Sequence, residues 1–148
     1  MDSVKSFLKD HHVGVLSTSS TNGEPWGATI GFAHDDDLNF YFLTRANTLK
    51  FKNIEENPQA ALTITDEEKQ ITVQTRGTIS RVETSDYTEI VFKKLMETGP
   101  KASQWVPPVV KVHEGDYRVL MLTPTKLQYA DYRQVISDPN ASHIQQII

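Results

Sequence analysis

The sequence predicts a mainly β (α+β) chain, an antiparallel barrel of six or seven short strands with short helices at its periphery. Three observations support that class. Short apolar segments with period-two alternation succeed one another along the chain. The helical patterns fall between them as interruptions, not as the regular partners of βα units. No G-x-G-x-x-G follows a strand and no G-x-S-x-G elbow is present, so the dinucleotide-binding and hydrolase sheets lack their own motifs.

Val4, Phe7 and Leu8 are spaced i, i+3, i+4 and predict a short helix from Asp2 to Asp10, a lid more than a part of the core. Val13 to Ser17 is the first strand. Thr21-Asn22-Gly23-Glu24-Pro25 is a turn, because Asn-Gly accepts positive φ. From Trp26 to Ala33 the next strand divides into a large apolar face (Trp26, Ala28, Ile30, Phe32) and a small one (Gly27, Thr29, Gly31, Ala33). A neighbouring strand or a flat ring system can lie against the small face. Asp35-Asp36-Asp37 is a solvated hairpin tip. Leu38 to Leu43 is a strand, with Phe40 and Phe42 on one side and Tyr41 and Leu43 on the other. The helix after it is capped by Asn47 or Thr48, anchored by Ile54 and stopped at Asn57-Pro58.

Ala60 to Thr65 and Ile71 to Val82 are two more strands, joined by DEEKQ, and the second bends near Gly77 at a barrel corner or bulge. A further helix starts at Ser85 or Asp86, carries Val91, Phe92, Leu95 and Met96 on one face, and stops at Gly99-Pro100. GPKASQWVPPVVKVHEGD resists regular structure, because Pro100, Pro107 and Pro108 lack ladder donors, and it is the lid candidate. Tyr117 to Thr123 closes the sheet and Leu127 to Tyr132 continues it. Ile144, Ile147 and Ile148 suggest a short terminal helical stripe.

A chain of 148 residues, 38% hydrophobic and 23% charged, suits one domain, 1–148, with a single core. The net charge of −4 lacks long runs of either sign, so there is no basic footprint for nucleic acid or an anionic membrane. No apolar run approaches the length of a membrane span and the polar start MDSVKSFLKD does not resemble a signal peptide, so a cytoplasmic address is expected. Zero cysteines remove disulfides, thiolate metal sites and cysteine nucleophiles. The five histidines fall outside ligand spacing, and no structural metal is expected.

The stretch LNFYFLTRANTLKFKNIEENP, residues 38–58, carries the chemistry. Its strand runs into a hydroxyl-rich turn and then a helix with a lysine near its start. A helix N-terminus presents unpaired N–H groups and partial positive charge, and Thr44, Thr48 and Lys50 add two hydroxyls and an ammonium at the same end. That set suits a phosphate; an ordinary cap beside a solvated lysine would use the same residues.

A strand ending in Thr, a Thr-x-Lys at a helix start and then Asn-Ile-x-x-Asn-Pro together resemble the pyridoxamine 5'-phosphate oxidase-like family of FMN-binding split barrels. The resemblance covers about Phe7 to Tyr132, taking in the hairpin VGVLSTSSTNGEPWGATIGFAHDDD, the strand AALTIT and ITVQTRGTISRV with its central Gly77. It implies a split β-barrel, FMN as cofactor, and a homodimer with FMN at the subunit interface. It further implies that Thr44, Thr48 and Lys50 hold the FMN phosphate and that the backbone of Ala28, Thr29 and Ile30 contacts the flavin ring. The strand bearing Thr72 and Gln74, which share a face, would supply further ring contacts. Trp105 either caps the flavin or anchors its loop. One position departs from the family: Leu49 stands where pyridoxamine phosphate oxidases often carry Arg, which gives Lys50 more weight, with Arg45 or Arg76 as substitutes.

The activity so implied is FMN-dependent oxidation or reduction of an unknown small molecule, and no side-chain triad is required because the redox chemistry belongs to the flavin. A true pyridoxamine 5'-phosphate oxidase is not expected. Those enzymes resemble one another in a C-terminal extension with an Arg-x-His motif and a Trp, whereas Arg133 and His143 are the only cationic candidates here after Tyr132. Two alternatives use the same residues: a flavin- or haem-binding module without turnover, with His34 as the histidine near the pocket in sequence, and a cofactor-free dimeric interaction protein.

Overall fold

The computed structural model describes residues 1–82 and 117–148. The helix expected after Ser85, the Pro-rich segment and Trp105 lie outside the described residues. Helix α1 (Asp2–Asp10) leads into β1 (Val13–Ser19), β2 (Pro25–Gly31), β3 (Ala33–His34) and β4 (Phe40–Arg45). Helix α2 (Leu49–Glu56) follows, then β5 (Gln59–Asp66), β6 (Ile71–Val82), β7 (Tyr117–Asp131), a short helix α3 (Arg133–Ser137) and β8 (Ile144–Gln146). The strands pair antiparallel in the order β2-β1-β5-β6-β7-β4-β3, with β8 added to β7. The two ends of that order, β2 and β3, are separated in the chain by Phe32 alone, so the sheet turns back on itself as a split barrel.

Alternation sorts the side chains. Phe40, Phe42, Leu62, Ile64, Leu120 and Leu122 are all fully buried in the core, which leaves Tyr41 and Leu43 on the opposite face with Val119 as a smaller cluster. Helix α1 is more than a lid: Val4, Phe7 and Leu8 join the main core, and the Phe7 ring meets Tyr129 edge-on at 6.4 Å. His11, just beyond α1, stacks on Phe7 at 3.9 Å and bridges the Phe7 carbonyl at 2.6 Å and the Asp66 carboxylate at 2.9 Å.

Other local expectations also need correction. The strand from Trp26 to Ala33 is interrupted at Phe32, where the pairing passes from β2 with β1 to β3 with β4 although the Phe32 N–H still meets the His12 carbonyl in the register of β1 and β2, and Trp26 on its apolar face is 49% exposed. Leu38 is not in β4: it takes φ 64 in the turn while its side chain stays buried. Asp35 is more than a solvated tip, since it accepts from the N–H groups of Asp37 and Asn39, the Asn39 amide and the Tyr41 hydroxyl. The terminal isoleucines form no helix. The Leu127 carbonyl accepts from the N–H groups of Ile147 and Ile148, and β8 pairs with β7, so the open edge of the sheet outcompetes a three-residue helical pattern.

Tyr117 to Asp131 is one strand, not two, because a bulge absorbs Pro124. Arg76 faces Lys126 and Gly77 faces Pro124, so Thr125 is the extra residue. A Cβ on Gly77 would lie 2.0 Å from the Thr123 carbonyl oxygen, which is why glycine stands there.

Three carboxyls tie the structure to pH. At Asp35 burial opposes ionisation, but the bonds from Asn39, Tyr41 and Asp37 outweigh it and hold the carboxyl below the usual range. At Asp66 the Lys69 N–H lowers it, against burial, with help from His11. At Asp131 the Arg133 guanidinium does so. A depressed folded pKa contributes stability above about pH 4, the unfolded carboxylate value, and that stability is lost as pH falls through the folded values. Thermal midpoints should therefore hold steady from about pH 7 to 5 and fall below about pH 4, and Asp66→Asn should flatten that fall. An unchanged acid slope in Asp66→Asn would rule out this role for Asp66.

Candidate functional site

Strand β4 ends and α2 begins within four residues, and the local chemistry follows from that junction. Thr48 is the cap: its hydroxyl donates to the Arg45 carbonyl at 2.9 Å and accepts from the Phe51 N–H at 3.4 Å. With its proton committed, Thr48 is the acceptor for the Thr44 hydroxyl, 3.4 Å away and only 2% exposed. The N–H groups of Leu49 and Lys50, first in the helix, have no intrahelical acceptor. Donors for an anion at this end are thus the two amides and the Lys50 ammonium, while Thr44 and Thr48 fix the junction that aims them.

Lys50 is half-buried and forms no ion pair among the described residues. Burial holds its pKa below the ordinary lysine value. It shares a helical face with Asn53, three residues on, whose amide donates to the buried Thr18 hydroxyl of β1 at 3.2 Å. Asn57 likewise donates to Ser19 at 2.9 Å, so α2 is tethered along β1, the neighbour of β2. Leu49, which the resemblance places where Arg often stands, is 46% exposed. Of its two substitutes, Arg45 lies at this junction with its guanidinium 6.0 Å over the Tyr117 ring, whereas Arg76 stands on the outer face of β6 opposite Lys126.

The ring-contact residues fall on two faces. Ile30 points into the core and Ala28 is half-buried on the same side, while Thr29 is exposed on the outside. β2 ends the sheet order, so its second edge has no strand partner among the described residues. Thr29 is the first of a cross-strand row, Thr29, Val15, Thr63, Gln74 and Gln128, on five neighbouring strands. Gln74 accepts from Gln128 at 2.7 Å. Thr72 shares the face of Gln74 and lies 3.5 Å from Thr65, hydroxyl to hydroxyl. The structure therefore brings Thr29, Thr72 and Gln74 to one outer platform and Thr44, Thr48 and Lys50 to one junction. Val15, Thr63 and Gln128 belong to that platform too. Period-two alternation marks them as outward-facing, but only the register shows that they form a row with Gln74. Trp105 is outside the described residues.

The fold defines the class first, an antiparallel split barrel. The sequence pattern of the pyridoxamine 5'-phosphate oxidase family matches residues 1–131, and the chain belongs to that family. It is 25% identical over 137 residues to the pyridoxine/pyridoxamine 5'-phosphate oxidase of Salinibacter ruber, covering 92% of this chain and 61% of that protein. Across the curated relatives it matches, the chain spans between 37% and 61% of their length. Among solved structures, an FMN-binding protein related to pyridoxamine 5'-phosphate oxidase from Nostoc punctiforme matches with a TM-score of 0.64 at 14% identity, over 98% of this chain and 87% of that one. The haem storage protein HutZ of Vibrio cholerae matches with a TM-score of 0.66 at 18% identity, over 85% and 91%. At these identities the shared property is the fold. No helix among the described residues is long and apolar enough to cross a membrane.

Proposed function

We propose that this chain is an FMN-binding flavoprotein that acts as an oxidoreductase on a small molecule, as a cytoplasmic homodimer. The observation that carries the proposal is Lys50: a half-buried ammonium at a capped helix start, with no carboxylate partner among the described residues. An anion there would offset the cost of burying the charge and satisfy the two open amides. Bound FMN would supply the redox chemistry. The chain's own share is to hold the phosphate at α2 and to offer the β2 edge and the Thr29 to Gln128 row as surfaces for a flat ring.

Efficient oxidation of pyridoxamine 5'-phosphate is not part of the proposal. Arg133, one of the two cationic candidates after Tyr132, is engaged by both oxygens of Asp131, at 2.9 and 2.6 Å. Turnover of that substrate by the FMN-loaded protein near the ~10 s⁻¹ typical of enzymes would contradict this.

Size-exclusion chromatography with light scattering and an absorbance spectrum tests assembly and cofactor together. The expected result is a flavin spectrum travelling with a particle of twice the 16.7 kDa chain. A Soret band without flavin absorption would replace FMN by haem. A colourless dimer that takes up no FMN would leave an interaction protein.

A further inference from the structure

We propose that the outer face of the barrel carries a second anion site, separate from the start of α2, where Arg76 and Lys126 hold the oxyanion group of a small molecule, phosphate or carboxylate. The strand register carries the proposal. One row across that face runs Gly27, Ser17, Ala61, Arg76 and Lys126, successive partners on β2, β1, β5, β6 and β7. Three small residues are followed by two cations, so the row makes a low floor ending in a charged wall. Above the floor lies a groove of about 530 Å³, bounded by Ser17, Ser19, Gln59, Arg76 and Thr125. A recess of about 180 Å³ continues past Arg76 between Thr63, Gln74, Lys126 and Gln128.

Electrostatics single out the pair. Like charges directly opposite each other on neighbouring strands repel. Neither Arg76 nor Lys126 has a carboxylate partner among the described residues, whereas Arg81 pairs with Glu55, Arg133 with Asp131, and Lys69 with Asp10 and Asp66. In a chain of net charge −4, two adjacent cations on one concave face attract an anion selectively. The bulge fixes the site's edge: Thr125, the extra residue of β7, lines the groove, and its hydroxyl donates to the Arg76 carbonyl at 3.3 Å, tying β7 to the backbone that carries the guanidinium. A guanidinium beside an ammonium suits an oxyanion better than a neutral polar group.

NMR titration of the 148-residue chain at constant ionic strength tests the site, with inorganic phosphate and acetate as probes. Saturable shifts are expected at Arg76, Thr125 and Lys126, and they identify the group as phosphate or carboxylate according to which probe saturates first. An R76Q/K126Q double variant should weaken those shifts by about tenfold or more. Responses near Lys50 should persist in that variant. Lys50→Ala should do the reverse. Shifts that do not saturate, or that survive in the double variant, overturn the proposal. So does a double variant that loses the dimer without any wild-type anion response, since the face is then a contact between copies of the chain.

Discussion

Alanine at Gly77 is expected to lower the stability of the protein by about 3 kcal/mol, the upper part of the range for overpacked sites. The added Cβ would meet the Thr123 carbonyl oxygen at 2.0 Å, the Thr123 carbonyl carbon at 2.8 Å and the Pro124 Cα at 2.9 Å. All three are backbone atoms, so no side chain can swing aside. β6 and β7 must separate at the bulge, in the pairing that joins the two longest strands among the described residues. For a chain of this size, 3 kcal/mol corresponds to a midpoint lower by roughly 10 °C in a thermal melt. Gly27→Ala is the control, because its Cβ would meet only Val15 Cγ1, at an ordinary 3.5 Å. Equal midpoints for the two variants would show that the bulge relaxes freely.

Lys50→Ala should weaken FMN binding by about 10- to 150-fold, the equivalent of roughly 1.5–3 kcal/mol for a hydrogen bond to a charged group. The apoprotein should not be destabilised. Burial lowers the lysine's pKa, so below its folded pKa the charged form costs folding free energy, and removing it relieves that cost. Ligand affinity and apoprotein stability thus move in different directions. A variant that melts several degrees lower and binds FMN as before would return Lys50 to the role of an ordinary helix residue.

How far the sequence could be read depended on how local each determinant was. The α2 start was legible because a cap acts within three residues: Thr48 accepts from Phe51 as its position in the motif requires. The alternation of Phe40 and Phe42 against Tyr41 and Leu43 was legible for the same reason. Gly77 announced a bulge, but its partner Pro124 lies on β7, so the continuous strand from Tyr117 to Asp131 was read as two. Ile144, Ile147 and Ile148 suggested a helix because their local spacing could not reveal that β7 had a free edge. Asp35 and His11 were missed in the same way. Their partners are a turn that forms only around Leu38 at φ 64 and a carboxylate fifty-five residues away. Within the candidate site, Thr29 and Gln74 were named singly, and only the pairings of β1 and β5 show that one row connects them.

The measurement that bears most directly on the phosphate site is a fluorescence titration of the apoprotein with FMN and, separately, with riboflavin. The two ligands differ only in the terminal phosphate, which the Lys50 ammonium and the open amides of α2 can reward and a bare ribityl alcohol cannot. FMN is expected to bind at least about tenfold more tightly, and Lys50→Ala should bring the two affinities together. Equal affinities for FMN and riboflavin in the unaltered protein would contradict a phosphate site at the start of α2.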